Sequence, residues 1–148
     1  MVGKIFAGTL FGFLLVGAAF QDVAQAQVDK RQDLMKGQSA ATKAIKAAVE
    51  AKEYATVEAK AKDLMGSSAS IVSVFPAGSG TGKTKAKPEI WEKSEDFGKA
   101  AKNLNKAATE LAAAAKASND GDVPVKMKAV GDACGACHKA FRAEKYAE

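Results

Sequence analysis

The chain has 148 residues, 47% of them hydrophobic and 26% charged, a length that fits a single domain. Its 22 Lys and Arg against 17 Asp and Glu leave a net charge of +5. That modest excess is spread over many lysines, with no basic run interleaved with aromatics, so it reads as a solvated surface and excludes a nucleic-acid platform.

The N-terminus has the form of an export leader. Lys4 supplies a positive start, Ile5 to Phe20 is an uncharged apolar run, and Ala24-Gln25-Ala26 gives a small-x-small cleavage pattern. A retained membrane anchor is the rival reading, but the run is shorter than the roughly 20 residues a spanning helix needs. The expectation is therefore a secretory signal peptide at 1–26, removed to leave a mature domain at 27–148, in the periplasm. Removal leaves the charge unchanged, because Lys4 and Asp22 cancel.

Beyond the leader the chain is rich in alanine, and its apolar residues recur at intervals of three and four, the signature of amphipathic helices. A first helix is expected from about Val28 to Glu50, with Val28, Leu34, Met35, Ile45 and Val49 along one stripe. A second is expected from Tyr54 to Phe75, stopped by Pro76, which cannot continue the hydrogen-bond ladder. Ala77 to Lys87 reads as a loop punctuated by Gly78, Gly80 and Gly82.

The third helix is expected beyond Pro88, with Ser94 as its N-cap and Phe97, Leu104 and Leu111 as its stripe. Asn119-Asp120-Gly121 reads as a turn, after which Asp122 caps a fourth helix with Pro124 in its first turn. Val123, Met127, Val130, Cys134, Cys137, His138 and Phe141 share one broad face of that helix. Four such helices imply an all-α, antiparallel up-down-up-down four-helix bundle. Alanine stripes allow close approach but bury little area each, so a bulky apolar group among the helices would supply the missing core.

That group is implied by Cys134-Gly135-Ala136-Cys137-His138, a C-x-x-C-H sequence. Two thiols three residues apart on a helix can reach the two vinyl groups of one porphyrin as thioethers, with the adjacent imidazole beneath the iron. The motif therefore calls for one covalently bound haem c per chain. A structural zinc site would want four ligands, and the chain offers three in an awkward cluster. A thioredoxin-like pair would open a helix in a βαβ setting, and a plain disulfide would leave His138 unexplained.

Only ten residues follow His138 and none is Met or His, so a sixth iron ligand from this chain must lie upstream. Of the four methionines, Met1 leaves with the leader and Met127 sits on the haem-bearing helix itself. Met35 and Met65 both lie on inward stripes, and periodicity alone does not choose between them.

Three segments in this order resemble the class II c-type cytochromes, the cytochrome c′ and cytochrome c-556 family. They are Arg31-Gln32-Asp33-Leu34-Met35-Lys36, Pro88-Glu89-Ile90-Trp91, and Cys134 to Arg142 near the C-terminus. The resemblance spans essentially the whole mature chain, and cytochrome c′ is itself a standard example of the four-helix bundle. It implies that Cys134 and Cys137 form the thioethers and that His138 is the proximal ligand. It places Arg31 and Gln32 beside the haem, with Arg31 able to pair with a propionate, and Arg142 near the imidazole or haem edge. It also places Met35 on the distal side of the iron, and i to i+4 spacing from Arg31 puts the two on one face.

In the c-556 branch a methionine at this position binds iron and completes low-spin His/Met ligation, which suits a periplasmic electron carrier. In the cytochromes c′ the iron is high-spin and five-coordinate and admits NO or CO. The Arg-x-x-x-Met-Lys form of the first helix looks more like the former. The expectation is thus an electron carrier, not an enzyme, that meets periplasmic or membrane-bound redox proteins, with gas binding as the alternative. Family members are often homodimers through their first two helices.

Overall fold

Alanine-rich segments with intact three-four spacing and no proline beyond the first turn run as long helices. The computed structural model describes residues 14–146, with side chains from residue 25 onward. Its helices are α1 (Leu14–Glu50), α2 (Tyr54–Ala69), the single turn α3 (Glu89–Glu92), α4 (Ser94–Lys116) and α5 (Asp122–Phe141). The four long helices form an antiparallel bundle in which α1 packs on α2, α2 on α4 and α4 on α5. Residues 1–13 of the expected leader lie outside the described residues, and residues 14–26 continue α1 toward its N-terminus. Among the described residues, no helix is long and apolar enough to cross a membrane.

Of the expected α1 stripe, Val28 and Ile45 are buried and Leu34, Met35 and Val49 partly buried, and the helix also buries Arg31, Gln38 and Ala48. On α4, Phe97, Ala101, Leu104, Ala108, Leu111, Ala112 and Ala115 are buried over a wide arc, because this helix meets both α2 and α5. Val123, Val130 and Phe141 bury the matching face of α5.

Three boundaries differ from the sequence expectations. The second helix stops at Ala69, and Val72–Val74 continues as a 3-10 turn. The cause is a serine cluster: the hydroxyls of Ser67, Ser68 and Ser73 donate to the carbonyls of Leu64, Met65 and Ser70, competing with the ladder. Ser94 is not an N-cap but the first residue of α4; Lys93 holds that position with a non-helical φ of −119° and ψ of 49°. Asp122 likewise lies inside the first turn of α5. The capping acceptor is Asn119 Oδ1, which takes the N–H groups of Gly121 and Asp122, each at 3.1 Å.

Both short turns end in the same way, without glycine. Lys52 (φ 57°) follows α1 and Ser118 (φ 50°) follows α4 in the left-handed region. Glu53 N–H donates to Ala48 O at 2.8 Å and Asn119 N–H to Ala114 O at 3.1 Å, the long bond of a Schellman motif in each case. These turns share one end of the bundle, where Lys52 Nζ lies 2.9 Å from Asp120 Oδ2 and the Tyr54 hydroxyl donates to Asp120 Oδ1.

At the other end, the loop between α2 and α3 folds back under α1. Gly82 has a φ of 87°, a conformation few other residues adopt. A Cβ on Gly80 would come within 3.0 Å of the Trp91 ring, so the loop passes under the indole only because that residue has no side chain.

Candidate haem centre

The α1–α5 seam is where the bundle is least closed. These two helices meet only sparsely, and a cleft of about 410 Å³ opens between them. Its walls come from Arg31, Gln32 and Met35 on α1, from Phe75 and Thr84–Ala86 in the loop, and from Cys137, His138 and Phe141 on α5, with Arg142 just beyond.

Most residues singled out from the sequence are thus brought together. Met35 and His138, more than a hundred residues apart in the chain, line the same cleft. Met65 and Met127 do not line it; both pack against the hydrophobic core. Cys134 is partly buried one turn before Cys137 on the same helix, about 4.5 Å along the axis, and does not itself face the cleft. Cys137 borders the cleft and also a second groove of about 440 Å³ between α4 and α5, which His138 does not line.

Cys134 and Cys137 are not joined in a disulfide. Before haem attachment, burial pushes both thiols above their usual pKa, with Cys134 adding a smaller effect on Cys137. Burial, and then the charge of Arg142, pushes the His138 imidazole below its usual value. The neutral ring this favours is the form that offers a lone pair to a metal.

Arg31 is only 4% exposed. Its Nε donates to Val74 O at 2.7 Å and its Nη2 to Ser79 O at 2.5 Å, while the guanidinium lies 4.7 Å from the Phe75 ring centroid. Arg31 therefore staples α1 to the loop after α2, a structural duty that the propionate-pairing expectation did not include. Its Nη1 is buried with no partner among the described residues. One donor on the cleft wall thus remains for an anionic group, which fits a haem propionate. The donor set as a whole fits haem c: two thiols at helical spacing, a neutral imidazole, a thioether and an orphaned cationic donor.

From the sequence Phe97 was legible only as a stripe residue and Trp91 only as part of a segment, while Tyr146 carried no signal. Phe97 makes edge-to-face contacts with Phe75 at 5.0 Å and with Phe141 at 5.2 Å between centroids, joining three segments into one wall. Trp91 Nε1–H donates to Pro76 O at 2.9 Å and holds the loop in place. Tyr146, near the C-terminus, also reaches the cleft. Spacing within single helices contains no information on such contacts between distant segments.

The sequence matches the family model described as Cytochrome C′ over residues 26–142. Cytochrome c-556 of Agrobacterium fabrum is 34% identical over 144 residues, 95% of each chain. Cytochrome c′ of Rhodospirillum rubrum is 36% identical over 124 residues, 80% of this chain and 83% of the relative. Among solved structures, cytochrome c′ from Thermochromatium tepidum superposes with a TM-score of 0.75 at 32% identity, covering 82% of this chain and 97% of its own.

Proposed function

The chain belongs to the cytochrome c′ family of class II c-type cytochromes, which are haem proteins and not enzymes, and from that premise we propose that it is a periplasmic electron carrier with His/Met-ligated iron. The observation that carries this reading is the placement of Met35 and His138 on one cleft wall-to-wall between α1 and α5. In it, Cys134 and Cys137 would hold haem c as thioethers, and His138 on α5 and Met35 on α1 would offer the iron its imidazole and thioether donors. The bound iron supplies one-electron exchange between its ferric and ferrous states. The two helices keep both donors in place in either state, so little has to reorganise when the electron moves.

Arg31 and Gln32 serve the propionate side, where the orphaned Nη1 of Arg31 offers a charge-assisted hydrogen bond. Phe75, Phe97 and Phe141 keep that side of the cleft apolar and exclude water. In the same reading residues 1–26 are a leader removed on export, consistent with a family match that starts at residue 26.

The second reading is a high-spin, five-coordinate iron in which Met35 is only an apolar wall and the distal side takes NO or CO. The relatives support it as well, since they divide between the names c-556 and c′. The optical spectrum of the matured protein, with and without CO, separates the two. A sharp low-spin ferrous spectrum, a weak long-wavelength sulfur-to-iron(III) band and indifference to CO are expected. A broad spectrum that shifts with CO would replace the first reading with the second.

A further inference from the structure

The positive charge of this chain is not evenly spread once folded. Two short segments, 83–87 and 139–146, contain Lys83, Lys85, Lys87, Lys139, Arg142 and Lys145 against the single carboxylate of Glu144. They therefore carry the equivalent of the whole chain's net +5, and the rest of the chain is balanced.

The fold joins these segments side by side. Ala86 and Arg142 form an antiparallel bridge, Lys87 N–H donates to Phe141 O at 3.0 Å, and Ala143 N–H donates to Lys85 O at 2.8 Å. The ammonium groups are held by neutral acceptors. Lys85 Nζ donates to Glu144 O at 2.7 Å and Lys87 Nζ to Lys139 O at 3.1 Å, while Lys85 and Lys83 lie 4.8 and 5.7 Å from the Tyr146 ring centroid. Among the described residues, none of the six cations forms an ion pair; all eight ion pairs lie elsewhere. Lys85, Arg142 and Tyr146 also line the haem cleft, so the patch is the rim of its mouth. Two ionised propionates would offset only part of this charge.

We infer that this rim is the docking surface for the acidic face of a redox protein. The inference rests on the electron-carrier reading and adds the chemistry of the partner. A partner must bring its own redox centre close to the cleft mouth, and unpaired cations there concentrate the attractive field at that place. A lipid surface fits less well, because Tyr146, 47% exposed, is the only large hydrophobic exposed on the patch.

The test uses the full matured haem protein in its ferrous state and, as probe, an acidic blue-copper protein in its copper(II) form. One electron leaves the haem iron, which becomes ferric, and copper(II) becomes copper(I). The second-order rate constant should fall about ten-fold or more as ionic strength rises from about 10 to about 200 mM. The double variant Lys83→Glu, Lys145→Glu should lose that dependence. Lys43→Glu, Lys46→Glu on α1 changes the net charge equally and should keep it. Equal slopes in the two variants, or a native rate indifferent to salt, would overturn the proposal. So would sedimentation with phosphatidylglycerol vesicles that Lys83→Glu, Lys145→Glu abolishes while the salt dependence of the copper reaction survives. Failure of the electron-carrier reading is seen separately, as a CO-induced spectral shift that the salt dependence does not sense.

Discussion

Arg31 on α1 and Val74 in the 3-10 turn after α2 are joined by a 2.7 Å hydrogen bond from the guanidinium Nε to the backbone carbonyl. A second bond to Ser79 O makes the buried side chain a two-pronged link between the cleft wall and the loop. Arg31→Ala would leave both carbonyls without that donor and should destabilise the haem protein by about 3 kcal/mol. Arg31→Lys keeps the charge but not the planar fork, so a smaller loss is expected. Urea denaturation of the three proteins measures both, and a native-like midpoint for Arg31→Ala would refute the staple.

The two inward methionines should separate cleanly. Under the proposed His/Met ligation, Met35→Ala would open the sixth position, so the ferrous spectrum should become high-spin and respond to CO. Met65→Ala removes a partly buried core side chain away from the cleft, so it should lower stability by about 2–3 kcal/mol and leave the low-spin spectrum unchanged. An unchanged low-spin spectrum in Met35→Ala would remove Met35 from the iron.

Phe97 links Phe75 and Phe141 and is 4% exposed. Phe97→Ala should cost about 3–5 kcal/mol through lost burial and the cavity left behind. Because the ring also lines the cleft, CO rebinding after photolysis in a Met35→Ala background should change on adding Phe97→Ala. The same background with Leu104→Ala, a core residue away from the cleft, should show the stability loss alone.

The far end of the bundle sets an acid limb of stability. The Tyr54 hydroxyl first, and Lys52 second, hold the Asp120 carboxyl below its usual value of 3.8. A depressed carboxylate pKa favours the folded state above the unfolded value, and that contribution is lost as pH falls through the folded one. The thermal midpoint should therefore drop below about pH 4, by a small amount because the cluster is solvent-exposed. Asp120→Asn should lower the midpoint at neutral pH and flatten this part of the acid limb. An identical slope in the variant would assign the limb to other carboxylates.

The sequence by itself determined what is encoded locally. Three-four spacing on alanine-rich segments defined the four long helices and their inward faces. Cys134, Cys137 and His138 spelled the C-x-x-C-H motif of haem c, because that signal falls within five consecutive residues. Helix ends were less legible: the serine hydroxyls that stop α2, the left-handed Lys52 and Ser118, and the Asn119 cap all depend on backbone geometry rather than on a single diagnostic residue. Only the tertiary structure decided which methionine stands on the cleft with His138, since Met35 and Met65 have equal claims on periodicity. It alone made Arg31 a staple between α1 and the loop after α2, and it alone gathered the charge of two distant segments at one mouth. The physical reason is the same throughout. Helical periodicity records which face a residue presents, whereas the neighbours it meets are set by how helices and loops pack, and those contacts join residues far apart in the chain.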